Sequence, residues 1–292
     1  MLVTQSRLSS VGARIGLPIL AALFLGTTAQ AQTTEIGGYY TGAKLATPDQ
    51  RSAFPKAAAK RGLTPAKVDL SALMPPVGDQ GKQGSCVAWS GTYGVRSYYV
   101  AKLEKLPLTP QNTPSPAYVY NHGNFDKGVI TCRSAGMQVY HALDILRGGT
   151  VSMADMPYDQ ENCSPAPNVQ MQARAKKFRI DAWEFIDPAD IDTIKGNLAG
   201  GNPIQFAMSL APSFPGFKGN GVYARVQGES PDPNAGHAMV LIGYDDARKA
   251  FLLQNSWTTA WGDKGRAWIS YDTFKSDAGE AYVIYPTIEA SR

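Results

Sequence analysis

Three cysteines and three histidines are all that this 292-residue chain contains. None falls at a C-x-x-C or H-x-x-x-H spacing, so a structural zinc site is not expected. Charge is also sparse: 28 Lys+Arg stand against 24 Asp+Glu, giving +4. No basic run interrupts that balance, which argues against nucleic acid as a dedicated partner. Long apolar stretches are missing too. The 29 Gly and 20 Pro are scattered and hydrophobic residues make up 43%, so collagen-like and disordered classes are excluded.

The apolar stretch Ile15 to Gly26 is about a dozen residues, too short for a bilayer of about 30 Å. Arg7 and Arg14 precede it and Ala29-Gln30-Ala31 follows as an A-x-A site, so residues 1–31 read as an export signal cleaved after Ala31. The expected location is periplasmic or secreted, with no membrane anchor after cleavage. In that oxidising setting an odd number of cysteines leaves one thiol over, for bridging elsewhere or for chemistry.

Residues 32–66 are polar and carry no sustained apolar period, so an extended leader is expected there. A globular domain then spans residues 67–292. Its first half reads helical. Cys86 opens a run that continues to Leu103, and Gly91 and Gly94 inside it point to close packing against a neighbour. Met137 to Leu146 forms a second helix, and Asp187-Pro188 opens a third carrying Ile191, Ile194 and Leu198. The second half reads as strands, at 203–208, 238–244, 251–254, 267–271 and 281–285. Helices followed by strands imply an α+β fold of two lobes, about 80–185 and 186–292, with a site between them.

Chemistry concentrates at three places. Cys86 follows the glycine-rich Asp79-Gln80-Gly81-Lys82-Gln83-Gly84-Ser85 and opens a helix whose positive end favours thiolate. His237 lies at the start of a strong strand, within Gly236-His237-Ala238. Asn255 ends another, in Gln254-Asn255-Ser256-Trp257. A thiolate nucleophile needs a proton acceptor, and the imidazole needs a group to fix its tautomer. Cys86, His237 and Asn255 supply these in order. Gln80 could aim its amide N–H at a developing oxyanion beside the Cys86 backbone N–H. Read singly, Cys86 is a small buried hydrophobe, Gln80 a solvated loop residue and Asn255 a turn residue. Their combination reverses that. His122, in a polar loop, and His141, on a helix, read as structural, and Trp261 as core.

These segments resemble the papain family of cysteine peptidases. Gln80-Gly81 with Gly84-Ser85-Cys86 is similar to the family's nucleophile motif. Gly236-His237-Ala238 with Ile242-Gly243-Tyr244 resembles its histidine strand. Asn255-Ser256-Trp257 with Trp261-Gly262 resembles its asparagine motif. Val68-Asp69-Leu70, Ser115 to Tyr120 and Pro157-Tyr158 extend the likeness over roughly residues 67–286. The sequence departs from the family at Gln83, where a cysteine is usual, and at Val87, where a tryptophan is usual.

The resemblance implies a helical left lobe and an antiparallel, β-barrel-like right lobe with the cleft between. It implies peptide-bond hydrolysis by a Cys86 thiolate/His237 imidazolium pair through a thioester, with Asn255 orienting His237 and Gln80 in the oxyanion hole. Trp257 would shield the Asn255–His237 hydrogen bond and flank the cleft. Gly136, Ala135 and Gly236 would contact substrate. Cys132 and Cys163 fall where a family disulfide lies, closing a loop of about 30 residues worth roughly 3–4 kcal/mol. Peptide or protein substrates and a protein inhibitor are the implied partners, and no cofactor or metal is required. Family precursors carry a longer helical leader than residues 32–66, which are expected to occupy or cover the cleft. Cell-wall amidases of the NlpC/P60 type share the Cys–His–polar order. Acyl transfer to an amine and a non-catalytic papain-like binding module are the other readings.

Overall fold

The computed structural model describes residues 1–2, 34–60, 62–125, 135–163 and 166–287. The expected export signal and its cleavage site therefore lie outside the described residues, except Met1 and Leu2, and so do Cys132 and Ser134. Residues Ala31–Arg292 form one compact unit.

The leader is not wholly extended. It begins as a two-stranded ribbon, β1 (Glu35–Ile36) with β2 (Tyr39–Tyr40). It then forms the short helix α1 (Pro48–Ala53), where no helix was expected. Thr47 caps α1 through a reciprocal bond pair with Gln50, and Pro48 occupies the first turn, where its missing N–H costs nothing. β3 (Lys67–Asp69) follows.

The nucleophile-bearing run starts as α2 (Cys86–Ala88) and winds through π-helical turns at Trp89–Arg96. It passes α3 (Ser97–Tyr99) and ends in a further π-helical stretch at Val100–Glu104. The two internal glycines are there for contact. A Cβ on Gly91 would lie 2.6 Å from Gln205 Oε1, and one on Gly94 would lie 2.9 Å from Val240 Cγ2. Next come α4 (Pro116–Phe125), α5 (Val139–Gly148) and α6 (Val169–Arg174). α4 carries His122, so that residue is helical rather than in a loop. α5 starts at Val139, two residues later than its apolar period suggests. Met137 instead pairs with Ala43 of the leader.

The second half is one sheet. In chain order it supplies β4 (Ile180–Ile186), β5 (Ile204–Leu210), β6 (Val222–Tyr223), β7 (Asp232–Asp245), β8 (Ala250–Gln254), β9 (Arg266–Ser270) and β10 (Ala278–Pro286). Their spatial order is β4-β10-β5-β7-β8-β9-β6, with β3 added on β7. All pairings are antiparallel except β6 with β9. α7 (Ile191–Ala199) and α8 (Tyr271–Asp277) complete the lobe. α7 begins after Asp190, which accepts from Thr193 N. Asp187 is spent on the preceding turn, accepting from Ala189 N, so the helix starts later than the Asp-Pro signal indicates.

Alternation along the strands divides the core. Ala207, Ala238, Val240, Tyr282 and Ile284 face the helices, joining Cys86, Val87, Tyr120 and Leu143. Phe206, Met208, Met239, Leu241 and Val283 face the other way, onto Ile194, Leu198, Phe274 and Trp261. The first face is the one on which the nucleophile meets the sheet.

Candidate active site

Two loops are laced together at the head of α2. Gln80 N donates to Ser256 O (2.9 Å), and Thr258 N donates to Gly78 O (3.1 Å). Tyr158 braces the same loop, donating to Gln80 O (2.7 Å) while its hydroxyl meets Ser85 Oγ at 2.6 Å. These bonds bring the stretch before Cys86 against the stretch after β8, so residues far apart in sequence share one site.

β7 delivers His237 and the end of β8 delivers Asn255. His237 Nε2 donates to Asn255 Oδ1 at 2.8 Å, and Ser256 N donates to the same oxygen at 2.7 Å. That arrangement places the imidazole proton on Nε2 and leaves Nδ1, which has no hydrogen-bond partner, as the free base. Trp257 stacks over the imidazole with ring centroids 4.3 Å apart. Cys86 Sγ receives the backbone N–H of Ala238, the residue after His237.

Gln80 is fully buried. Its Oε1 accepts from Ser256 Oγ (2.7 Å), which turns Nε2 toward the cleft. There Nε2 donates to Gln83 O (2.9 Å) and to Tyr40 O (3.0 Å). Trp257 Nε1 donates to the same Tyr40 carbonyl at 3.2 Å. A leader carbonyl thus sits on the donor expected to hold an oxyanion.

The leader continues along the cleft. Tyr39 stacks on the other side of Trp257 at 4.4 Å. Gly42 and Ala43 both donate to Gly236 O (3.0 and 2.9 Å), and their N–H groups also bear on Cys86 Sγ. Met137 N donates to Gly42 O (2.9 Å) and Lys44 N to Met137 O (3.0 Å). Only glycine fits at position 42, because a Cβ there would lie 2.2 Å from Gly84 O. A cavity of about 240 Å³ opens beside this stretch, lined by Lys44, Leu45, Gly136, Pro233 and Asn234 among others.

Burial governs the charges. It pushes the Cys86 thiol up to about 11, although backbone N–H groups of Ala238, Gly42, Val87 and Ala43 pull the other way. It lowers His237 to about 4 against the help of Asn255. With the leader seated the pair is neutral thiol and neutral imidazole. The thiolate favoured by the helix end does not form here, because dehydration outweighs one short helical turn.

Cys86, His237, Asn255, Gln80, Trp257, Gly136 and Gly236 are thus brought to one cleft. Ala135 is buried one residue away, its carbonyl taken by Tyr120 (2.6 Å). Cys86 is a free cysteine and Cys163 is disulfide-bonded. Sequence reasoning did not single out Ser256 and the leader residues Tyr40 and Gly42 as parts of the site, and took Tyr158 only as part of a helical-lobe segment. Ser256 and Tyr158 act on Gln80, and the leader acts mostly through its backbone.

A family model described as "Papain family cysteine protease" matches residues 64–287. The chain is 26% identical over 196 residues to a cathepsin L-like peptidase of Aedes aegypti, covering 65% of this chain and 53% of that protein. It is 30% identical over 210 residues to cathepsin K of Gallus gallus, covering 69% and 57%. The matches therefore span between half and two thirds of these relatives' lengths. Among solved structures, xylellain, a cysteine protease from Xylella fastidiosa, superposes with a TM-score of 0.72 at 24% identity, over 85% of this chain and 96% of that one. Digestive procathepsin L 3 of Tenebrio molitor superposes at 0.63 and 18% identity, over 85% and 75%.

Proposed function

This chain belongs to the papain family of cysteine proteases, and we propose that it hydrolyses peptide bonds and is made as a precursor whose own leader fills the cleft. The observation that carries the reading is His237. Its Nε2 is tied to Asn255 and its Nδ1 is left free on the strand that meets Cys86 Sγ.

In the open cleft the Cys86 thiol passes its proton to His237 Nδ1, and the thiolate attacks the peptide carbonyl. The resulting oxyanion takes the place now held by Tyr40 O, receiving Gln80 Nε2 and the Cys86 N–H. His237 then protonates the leaving amine. Water attacks the thioester, giving one proton to His237 as the sulfur departs, and the acid product leaves. Asn255 holds the ring plane throughout, and Trp257 keeps water from the Asn255–His237 bond. Residues 34–57 block this sequence by holding Cys86 neutral and by occupying Gln80. The same reading takes residues 1–31 as an export signal, with the protein acting outside the cytoplasm. It takes Cys163 as pairing with Cys132, and peptides or proteins as substrates.

The test is to replace Gly42 by Val in the full chain, which forces the leader off Gly84. An epoxide thiol reagent then reports on Cys86 by mass spectrometry, beside turnover of a peptide mixture. At a thiol pKa of about 11, only ~10⁻⁴ of Cys86 is thiolate at pH 7. Labelling of G42V should be at least ~100-fold faster than that of the unaltered chain, with turnover appearing alongside. Absence of both labelling and turnover in G42V would overturn the reading.

A further inference from the structure

Resting on the peptidase reading, we infer that Gln160 is a positioning residue for the oxyanion hole: through the Lys82 N–H and Gln83 it fixes the aim of the Gln80 amide. That amide is held at both ends. Its Oε1 accepts from Ser256 Oγ (2.7 Å), while Nε2 donates to Gln83 O (2.9 Å) and to Tyr40 O (3.0 Å). A glutamine amide nitrogen carries two protons. One stays on Gln83 O when the leader leaves, and the other is freed for the oxyanion. The Gln83 carbonyl therefore sets the direction of the free proton, and whatever fixes Gln83 fixes the hole. Such donors act by being aimed before charge develops, so a loosened one loses part of its effect.

Gln83 lies in a glycine-flanked turn that is held from outside. Asp79 Oδ1 accepts from Gly81 N (2.8 Å), which shapes only the start of the turn. The outside partner is the loop after Tyr158. Gln160 Oε1 accepts from Lys82 N (2.7 Å). The same side chain lies directly over Gly81: a Cβ there would lie 1.7 Å from Gln160 Oε1 and 2.4 Å from its Cδ, so only glycine admits it. Buried Gln83 reaches the same loop, with Nε2 3.5 Å from Asp159 O and 3.4 Å from Gln160 O. Those contacts are long, so the Lys82 bond is the strong member of the clamp. The loop that supplies it is itself fixed. Asp159 Oδ1 accepts from Glu161 N (2.9 Å), Asp159 O accepts from Asn162 N (3.3 Å), and Cys163 is disulfide-bonded. Tyr158 already holds the ends of segment 80–85, at Gln80 O and Ser85 Oγ. Gln160 holds its middle.

The test uses the full chain carrying G42V, into which Q160M and, separately, Q160E are introduced. Methionine keeps the reach of the side chain and removes the acceptor. Glutamate keeps the acceptor. Iodoacetamide alkylates Cys86 by displacing iodide, with no oxyanion formed, so its rate reports on the thiolate alone. Q160M should lower kcat for a peptide substrate by ~10-fold or more, while KM stays within about threefold. Its alkylation rate should stay within about twofold of that of G42V. Q160E should restore kcat to within about threefold of G42V. Should Q160M not fold, Q160A makes the same comparison. An unchanged kcat in Q160M would overturn the clamp. So would kcat and alkylation falling together, or a failure of Q160E to restore kcat, since either would show Gln160 supporting the fold alone. Each of these outcomes leaves the peptidase reading intact. G42V without turnover would remove both.

Discussion

Under the leader, the Cys86 thiol keeps its proton up to about 11 and His237 stays neutral down to about 4. The pair therefore holds one proton across the whole neutral range. A thiolate–imidazolium pair in an open cleft also holds one. Opening moves a proton from sulfur to nitrogen and takes none from solvent. In the leader-filled state, Glu280, bonded to the leader at Ala46, is the carboxyl raised into the range between pH 5 and 8. Burial raises its carboxyl from 4.5 to about 7, against the pull of the Ala46 N–H, the Tyr282 hydroxyl and the Arg51 charge. Because the folded state holds this proton more tightly than the unfolded chain, stability is greatest below 4.5. It falls as pH rises to about 7 and stays reduced above. The full shift corresponds to about 3 kcal/mol. E280Q removes the titration, so its Tm relative to the unaltered chain should rise by several degrees between pH 5 and pH 8. A Tm difference that stays flat over that range would show that Glu280 does not titrate there.

The leader is held at its far end by aromatic packing. Phe54, just past α1, lies 5.0 Å from Tyr140, 5.3 Å from Trp183, 6.2 Å from Phe185 and 6.1 Å from Tyr282 between ring centroids. The next residues then add to the edge of β4: Phe185 N donates to Pro55 O (2.7 Å), and Ala57 N donates to Phe185 O (2.9 Å). Since Phe54 is only half-buried, F54A should cost about 2 kcal/mol of leader docking, less than a fully buried phenylalanine. The full chain should then show Cys86 labelling raised by roughly ten- to thirtyfold at pH 7, and an unchanged labelling rate would mean that this anchor does not hold the cleft closed. This element also shows what a sequence displays and what it hides. Cys86, His237, Asn255 and Gln80 could be found because each sits in a local pattern of small, polar and aromatic neighbours. β7, β8 and β10 could be found because they are long or uniformly apolar. β4 was missed because Asp181, Ala182 and Glu184 break its alternation. α1 was missed because it is six residues long and buries none of them, although Thr47, Pro48 and Gln50 spell its start. The seating of Tyr40, Gly42 and Ala43 uses backbone atoms, which any residue carries. Glu280 was passed over because Ala46, its backbone partner, lies 234 residues away in the chain.

For the molecule as a whole, the leader touches both lobes: Met137 just before α5, Gly236 and Trp257 on the sheet side, and β4 at its end. Residues 58–60, 62 and 63, which join it to β3, are exposed. That tether matters by mass action. A short link holds its end at an effective concentration of ~1 mM, so even modest leader affinity keeps the cleft filled. Cutting the link changes no contact in the cleft, yet at ~1 μM protein the leader's local concentration falls ~10³-fold. A full chain with a specific protease site placed within residues 58–63 separates the two effects. After nicking, specific activity per titrated Cys86 should be low at ~10 μM and should rise on dilution toward ~10 nM. A peptide copying residues 34–57 should restore inhibition, and at about 100 times its Kd it should return about 2.7 kcal/mol of stability, or roughly 5–10 °C in Tm. If the nicked chain is fully active at every concentration and does not respond to the peptide, the bonds to Gln80, Gly236 and Met137 carry no binding energy. The cleft would then be closed by the tether alone.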